Sequence, residues 1–184
     1  MSVKEIERDD LSSLSGKIID FLKAGAGTLV LAESCTAGLA ASFLAQVPGA
    51  SAVLWGSFVC YTPEAKVAML GLDRRRLERF GLVSRECACD MALGALEKSG
   101  AKIAAAVTGL AGPDGDGSPT PVGTVWVAIA ERDASGAVPA LAAAQEFRFE
   151  GSRNEVRWQA ALATLEAVLR LALEKRTASP KNQS

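Results

Sequence analysis

The strongest constraint on the fold is a change of period that repeats along the chain. Apolar runs at residues 28–32, 53–61, 103–107, 122–130 and 142–149 have the length and composition of short, largely buried strands. Between and around them, residues 11–24, 36–45, 62–71, 74–80, 84–99 and 153–173 carry helical signals. Gly25 and Gly27 stop the first helical segment, and Val47-Pro48-Gly49 breaks the second. Thr62-Pro63-Glu64 is a helix start: a hydroxyl cap, a proline at the first helical position and an acid facing the positive helix end. Strands alternating with helices predict an α/β domain around a central, mostly parallel sheet. The turn-rich stretch 131–139 joins the last two runs as an antiparallel pair, which makes the sheet mixed.

At 184 residues, 49% apolar and 22% charged, the chain fits one globular domain with its own core. We expect a disordered start at 1–10, one domain over 11–174 and a disordered tail over 175–184. The 20 basic and 21 acidic residues are interspersed, so neither a nucleic-acid footprint nor a basic arm is indicated. No apolar run is long enough to span a bilayer, and the charged start has no signal-peptide core. Cys35, Cys60, Cys87 and Cys89 lack the spacing of a thiolate metal site, and there is no histidine to complete one. Reduced thiols in a cytoplasmic protein are the expectation.

The absence of histidine also bears on catalysis. Glu33-Ser34-Cys35-Thr36 stands where the first strand hands over to a helix, at a sheet edge that commonly places ligands. Its backbone amides suit an anion or a developing oxyanion, whereas Ser34 or Thr36 can equally serve as a plain helix cap. Cys35 at a helix start invites a thiolate reading, but the usual histidine partner is missing, and cysteine is often simply buried. An activated serine here needs another base, and lysine is a known one. Lys66 lies about one turn inside the helix opened by Thr62, so its amine leans back toward Tyr61 and the strand end. The helix dipole and an apolar pocket would both favour its neutral form, the alternative being a solvated surface lysine.

Two further segments bear on ligand binding. The loop VTGLAGPDGDG (107–117), with Gly109 and Gly112, lets the backbone approach a phosphate, although it matches neither common nucleotide-binding pattern. Asp114 and Asp116 in it can meet a hydroxyl or a positively charged ring. Arg153 and Arg157, four apart at the start of the last helix, share a face that can clamp a phosphate or sit solvated. Trp158 beside them reads as core or interface.

In order, AESCTAG, FVCYTPEAKVAMLGL, VTGLAGPDGDG with PVGTVWVAIA, and GSRNEVRWQA resemble the CinA C-terminal domain family over about residues 12–174. The resemblance implies a three-layer α/β/α domain of the stand-alone form, without the additional N-terminal domain of many relatives. It implies hydrolysis of the carboxamide of nicotinamide mononucleotide, with Ser34 as nucleophile, Lys66 as base and Tyr61 assisting. Thr36, Thr108, Gly109, Gly112, Arg153 and Arg157 fall at substrate-binding positions. No metal or organic cofactor is implied. The expected partner is a small pyridine nucleotide, with no nucleic acid and no membrane, and self-association is compatible with the apolar last helix. A non-catalytic nucleotide-binding module and an amidase for another small amide are the competing expectations.

Overall fold

The computed structural model describes residues 8–132 and 139–178. Strands β1 (Leu29–Glu33), β2 (Leu54–Val59), β3 (Ile103–Gly109), β4 (Thr124–Arg132) and β5 (Pro139–Arg148) form one sheet in the order β2-β1-β3-β4-β5. β1 runs parallel to β2 and β3, β4 adds antiparallel to β3, and β5 adds antiparallel to β4. The mixed sheet is therefore parallel on the side that carries the first three strands. Helices are α1 (Arg8–Phe21), α2 (Leu39–Ala45), α3 (Pro63–Leu70), α4 (Arg74–Phe80), α5 (Arg85–Ser99) and α6 (Arg153–Ala178). A short π-helical turn, Leu22–Ala26, ends α1 where Gly25 adopts φ 111°.

Strand alternation sorts the core into two layers. Leu29, Leu31, Ile103 and Ile129 point to one face and pack with Ile18, Phe43 and Leu165 of α1, α2 and α6. Val30, Ala32, Ala104, Ala106, Ala128 and Ala130 point to the other and meet Leu70, Leu77, Met91 and Leu96 of α3, α4 and α5. Alanines on that second face let α5 lie close to the sheet. The α3–α5 contact is closer still: a Cβ at Gly94 would stand 2.5 Å from the Leu70 carbonyl oxygen. The three-layer α/β/α architecture follows from these two buried faces.

Caps at Thr62 and Ser84 form as their residue types predict, accepting from the Ala65 and Cys87 amides at 3.1 Å each. The second helix departs from expectation. It starts at Leu39 rather than Thr36, because residues 34–38 form a turn in which Ala37 and Gly38 adopt φ 52° and 93°. Neither Ser34 nor Thr36 caps it. The expected disordered ends fall mostly outside the described residues, yet 8–10 belong to α1 and 175–178 to α6. Trp158 packs edge-on against Phe43 of α2, with ring centroids 4.4 Å apart, so it is an internal contact between helices.

Candidate active site

The carboxyl ends of β1 and β3, the residues after β2 and the starts of α3 and α6 converge on Ser34. Its backbone amide donates to the Val107 carbonyl at 3.0 Å, which fixes the residue just beyond the end of β1. The side chain is 8% exposed. Lys66 comes to it from the first turn of α3, where Thr62 and Pro63 set the helix direction. Lys66 is 1% exposed and its Nζ donates to Ser34 Oγ at 2.7 Å and to the Cys60 carbonyl at 2.8 Å.

Burial pushes the Lys66 amine below the ordinary lysine range. The neighbouring thiols would oppose that shift only as thiolates. Burial holds Cys35 up to about 12 and Cys60 and Cys87 up to about 11, so they remain neutral at ordinary pH. An ammonium offers three donors, and among the described residues Lys66 Nζ has two acceptors, Ser34 Oγ and the Cys60 carbonyl. As a neutral amine Lys66 can keep one N–H on the carbonyl and reverse the bond to Ser34, its lone pair accepting from the serine hydroxyl. The positive end of α3 acts in the same direction.

The turn after Ser34 is held from both sides. From below, the fully buried Glu33 carboxylate accepts the Gly38 and Ala40 amides on Oε2, at 2.9 and 3.1 Å. Its Oε1 accepts the Ala41 amide and the Ser57 hydroxyl, both at 3.0 Å. Glu33 thus does the capping that the sequence suggested for Ser34 or Thr36, and it occupies the positive end of α2. From above, Arg157 donates through Nε to the Cys35 carbonyl and through Nη2 to the Thr36 carbonyl, each at 3.1 Å. Its Nη1 donates to Asn154 Oδ1 at 3.3 Å. The amides of Cys35 and Thr36 have no oxygen acceptor among the described residues. Glu33 was not singled out from the sequence, although an acid just ahead of a helix is a recognisable signal.

The remaining candidate residues play varied parts. Tyr61 is half exposed and its hydroxyl accepts from Arg153, without a hydrogen bond to Ser34 or Lys66. Arg153 also donates to the Gly112 carbonyl, tying the glycine loop to Tyr61. Thr36 is fully buried and its hydroxyl has no hydrogen-bond partner among the described residues. Thr108 donates to the Leu82 carbonyl at 2.7 Å. Gly109 answers a packing need, since a Cβ there would meet Val125 Cγ2 at 2.7 Å. At Gly112 the backbone takes φ 79°, and a Cβ would meet Val122 Cγ1 at 2.6 Å. Asp114 and Asp116 stay exposed on the loop, Asp116 accepting the Ser118 amide at 3.0 Å. Cys35 is buried with a raised pKa, the opposite of what a reactive thiol needs.

The pattern of the CinA C-terminal domain matches residues 11–172. This chain belongs to the CinA C-terminal domain family. It is 42% identical over 160 residues to nicotinamide-nucleotide amidohydrolase PncC of Enterobacter agglomerans, covering 87% of this chain and 94% of that protein. A CinA-like protein of Chlorobium luteolum is 44% identical over 162 residues, of which this chain spans 37% of the length. Among solved structures, the competence/damage inducible protein CihA of Agrobacterium tumefaciens superposes with a TM-score of 0.80 at 39% identity, covering 88% of this chain and 95% of that one. A CinA superfamily protein of Escherichia coli gives 0.80 at 31% identity and 93% coverage of each chain. Among the described residues, no helix is long and apolar enough to cross a membrane.

Proposed function

We propose that this chain hydrolyses the carboxamide of nicotinamide mononucleotide to nicotinic acid mononucleotide and ammonia. The observation that carries this reading is the buried contact of 2.7 Å between Lys66 Nζ and Ser34 Oγ, in a pocket that disfavours the lysine cation. Ser34 Oγ attacks the carboxamide carbon as neutral Lys66 takes its proton. The amides of Cys35 and Thr36, which have no oxygen acceptor among the described residues, receive the oxyanion. Lys66, now protonated, returns the proton to the departing nitrogen, and ammonia leaves an acyl-Ser34. Water, deprotonated by Lys66, then attacks that ester and releases the carboxylic acid. No step calls for a metal or organic cofactor.

Arg153 is the residue to receive the substrate phosphate, since its side chain is exposed and spends only its two terminal nitrogens on Gly112 and Tyr61. A cation at that position favours the nucleotide over free nicotinamide, because the phosphate supplies binding energy remote from the reacting carbon. The name of the Enterobacter agglomerans relative supports the same substrate class. We assign the reaction to pyridine-nucleotide salvage in the cytoplasm, with self-association as a compatible arrangement.

The test is ammonia release from nicotinamide mononucleotide by the wild type, Ser34→Ala and Lys66→Ala, with free nicotinamide and a simple aliphatic amide in parallel. Turnover should fall by about a thousandfold or more in both variants, and the nucleotide should be the preferred compound. A wild type that binds the nucleotide without releasing ammonia is a binding module. Equal release by Ser34→Ala moves the chemistry to another group, and equal rates on all three compounds remove the phosphate argument.

A further inference from the structure

Arg157 faces the reacting serine from the first turns of α6, where a phosphate-binding role was a natural expectation. Three of its five N–H donors are engaged otherwise. Nε and Nη2 lie 3.1 Å from the carbonyl oxygens of Cys35 and Thr36, and Nη1 reaches Asn154 at 3.3 Å. The consequence follows from peptide planarity. In a trans peptide the N–H points opposite to the carbonyl of the same unit. Pinning the Cys35 carbonyl therefore turns the Thr36 amide away from Arg157. The Ser34 carbonyl is pinned by the Ala37 amide at 3.1 Å, which fixes the peptide plane that carries the Cys35 amide. These are the two amides left without an oxygen acceptor. Holding them needs a rigid turn, because Ala37 sits at φ 52°, a region costly to a residue with a Cβ. Glu33 fixes the far end of that turn through Gly38, Ala40 and Ala41.

We propose that Arg157 is a positioning residue that presets the Thr36 amide as an oxyanion donor, acting through the Cys35 carbonyl and leaving the substrate phosphate to Arg153. This rests on the hydrolytic reading of Ser34 given above. A donor of this kind contributes only when negative charge develops on the reacting oxygen, so its misplacement lowers kcat and leaves ground-state binding nearly unchanged.

The experiment compares wild type, Arg157→Ala, Arg157→Lys and Arg153→Ala with nicotinamide mononucleotide and with nicotinamide riboside, which lacks the phosphate. A second readout is the rate at which a small aryl sulfonyl fluoride modifies Ser34, followed by intact mass. Arg157→Ala should lower kcat by about a hundredfold with both compounds, hold KM within about twofold, and slow Ser34 modification by about tenfold or more. Arg157→Lys, which keeps the charge and can reach one carbonyl, should recover about tenfold of the loss in kcat. That variant alone decides the matter if the alanine variant does not fold, since its kcat should lie about tenfold below wild type with KM unchanged. Arg153→Ala should instead raise KM for the nucleotide more than for the riboside.

A raised KM for the nucleotide alone in Arg157→Ala, with normal Ser34 modification, would overturn the proposal in favour of a phosphate contact. Wild type that is modified at Ser34 but releases no ammonia from either compound would remove the nucleotide reading. The modification rates would then still decide the role of Arg157. Wild type that resists modification altogether overturns it.

Discussion

Replacing Glu33 by Gln tests whether one buried carboxylate holds the active-site turn. The substitution keeps size and shape but exchanges one acceptor oxygen for an NH2 donor. All four present partners of the carboxylate are donors: the amides of Gly38, Ala40 and Ala41 and the Ser57 hydroxyl. In the better of the two amide orientations the new NH2 faces Ser57, whose hydroxyl can rotate to accept, and the Ala41 amide loses its acceptor. One orphaned buried N–H costs about 1–3 kcal/mol. The bonds of Gly38 and Ala40 also weaken from charge-assisted to neutral, by about 1 kcal/mol each. Relief of the buried charge offsets part of this. The net expectation is a loss of about 3 kcal/mol, which lowers Tm by roughly 6–12 °C in a domain of this size and leaves it folded. Ser57→Ala removes a single bond and should cost about 1 kcal/mol. Urea unfolding followed by tryptophan fluorescence measures both. A Glu33→Gln protein within about 0.5 kcal/mol of wild type, or a Ser57→Ala protein equally damaged, would refute the reasoning.

The Lys66 amine and the cysteines yield two more expectations. Lys66 binds its proton less readily in the folded protein than in the unfolded chain, whose ordinary value is 10.5, so between those two values the unfolded state holds the extra proton. Stability therefore rises with pH across that window, and the penalty is fully present below it. On the proposed mechanism amidase turnover needs the neutral amine, so it should rise with pH through the folded-state value. Lys66→Met should abolish turnover and flatten this component of the stability profile, measured by urea unfolding at about pH 7 and about pH 9; an unchanged slope would show that the lysine is not the titrating group. All four cysteines are buried, with pKa values raised to about 12 for Cys35 and about 11 for Cys60 and Cys87. Iodoacetamide should leave the native protein unmodified and label every cysteine in urea; rapid stoichiometric labelling of native Cys35 would return it to candidacy as a nucleophile.

The elements were legible because they rest on local period and local caps. The apolar runs became β1 to β5, and Thr62 and Ser84 capped their helices through hydroxyls that reach only three residues ahead. The Lys66 amine was legible for the same reason, since a helical side chain leans toward the start of its own helix. What escaped was every contact between a side chain and distant backbone. Arg157 reaches carbonyls 121 and 122 positions away, and Arg153 reaches the Gly112 carbonyl across 41. Nothing in the pattern of α6 distinguishes such an arginine from a solvated one. The late start of α2 escaped because Ala37, a good helix former, stands in the left-handed region, held there by contacts of Glu33 and Arg157 with its neighbours.

The chemistry itself depends on that tertiary layer. A lysine five residues after a tyrosine at a helix start would be an ordinary cation if α3 were exposed. Here α3 is folded down so that Lys66 is sealed among Cys35, Cys60 and Cys87, thiols that stay neutral because the same burial raises their pKa values. A carboxylate in any of those three places would hold the lysine as an ammonium and remove the base. Small, neutral cysteines fill the space without that effect. On the proposed reading of Lys66 as base, they leave the amine free of neighbouring charge, and none of them needs a reaction of its own.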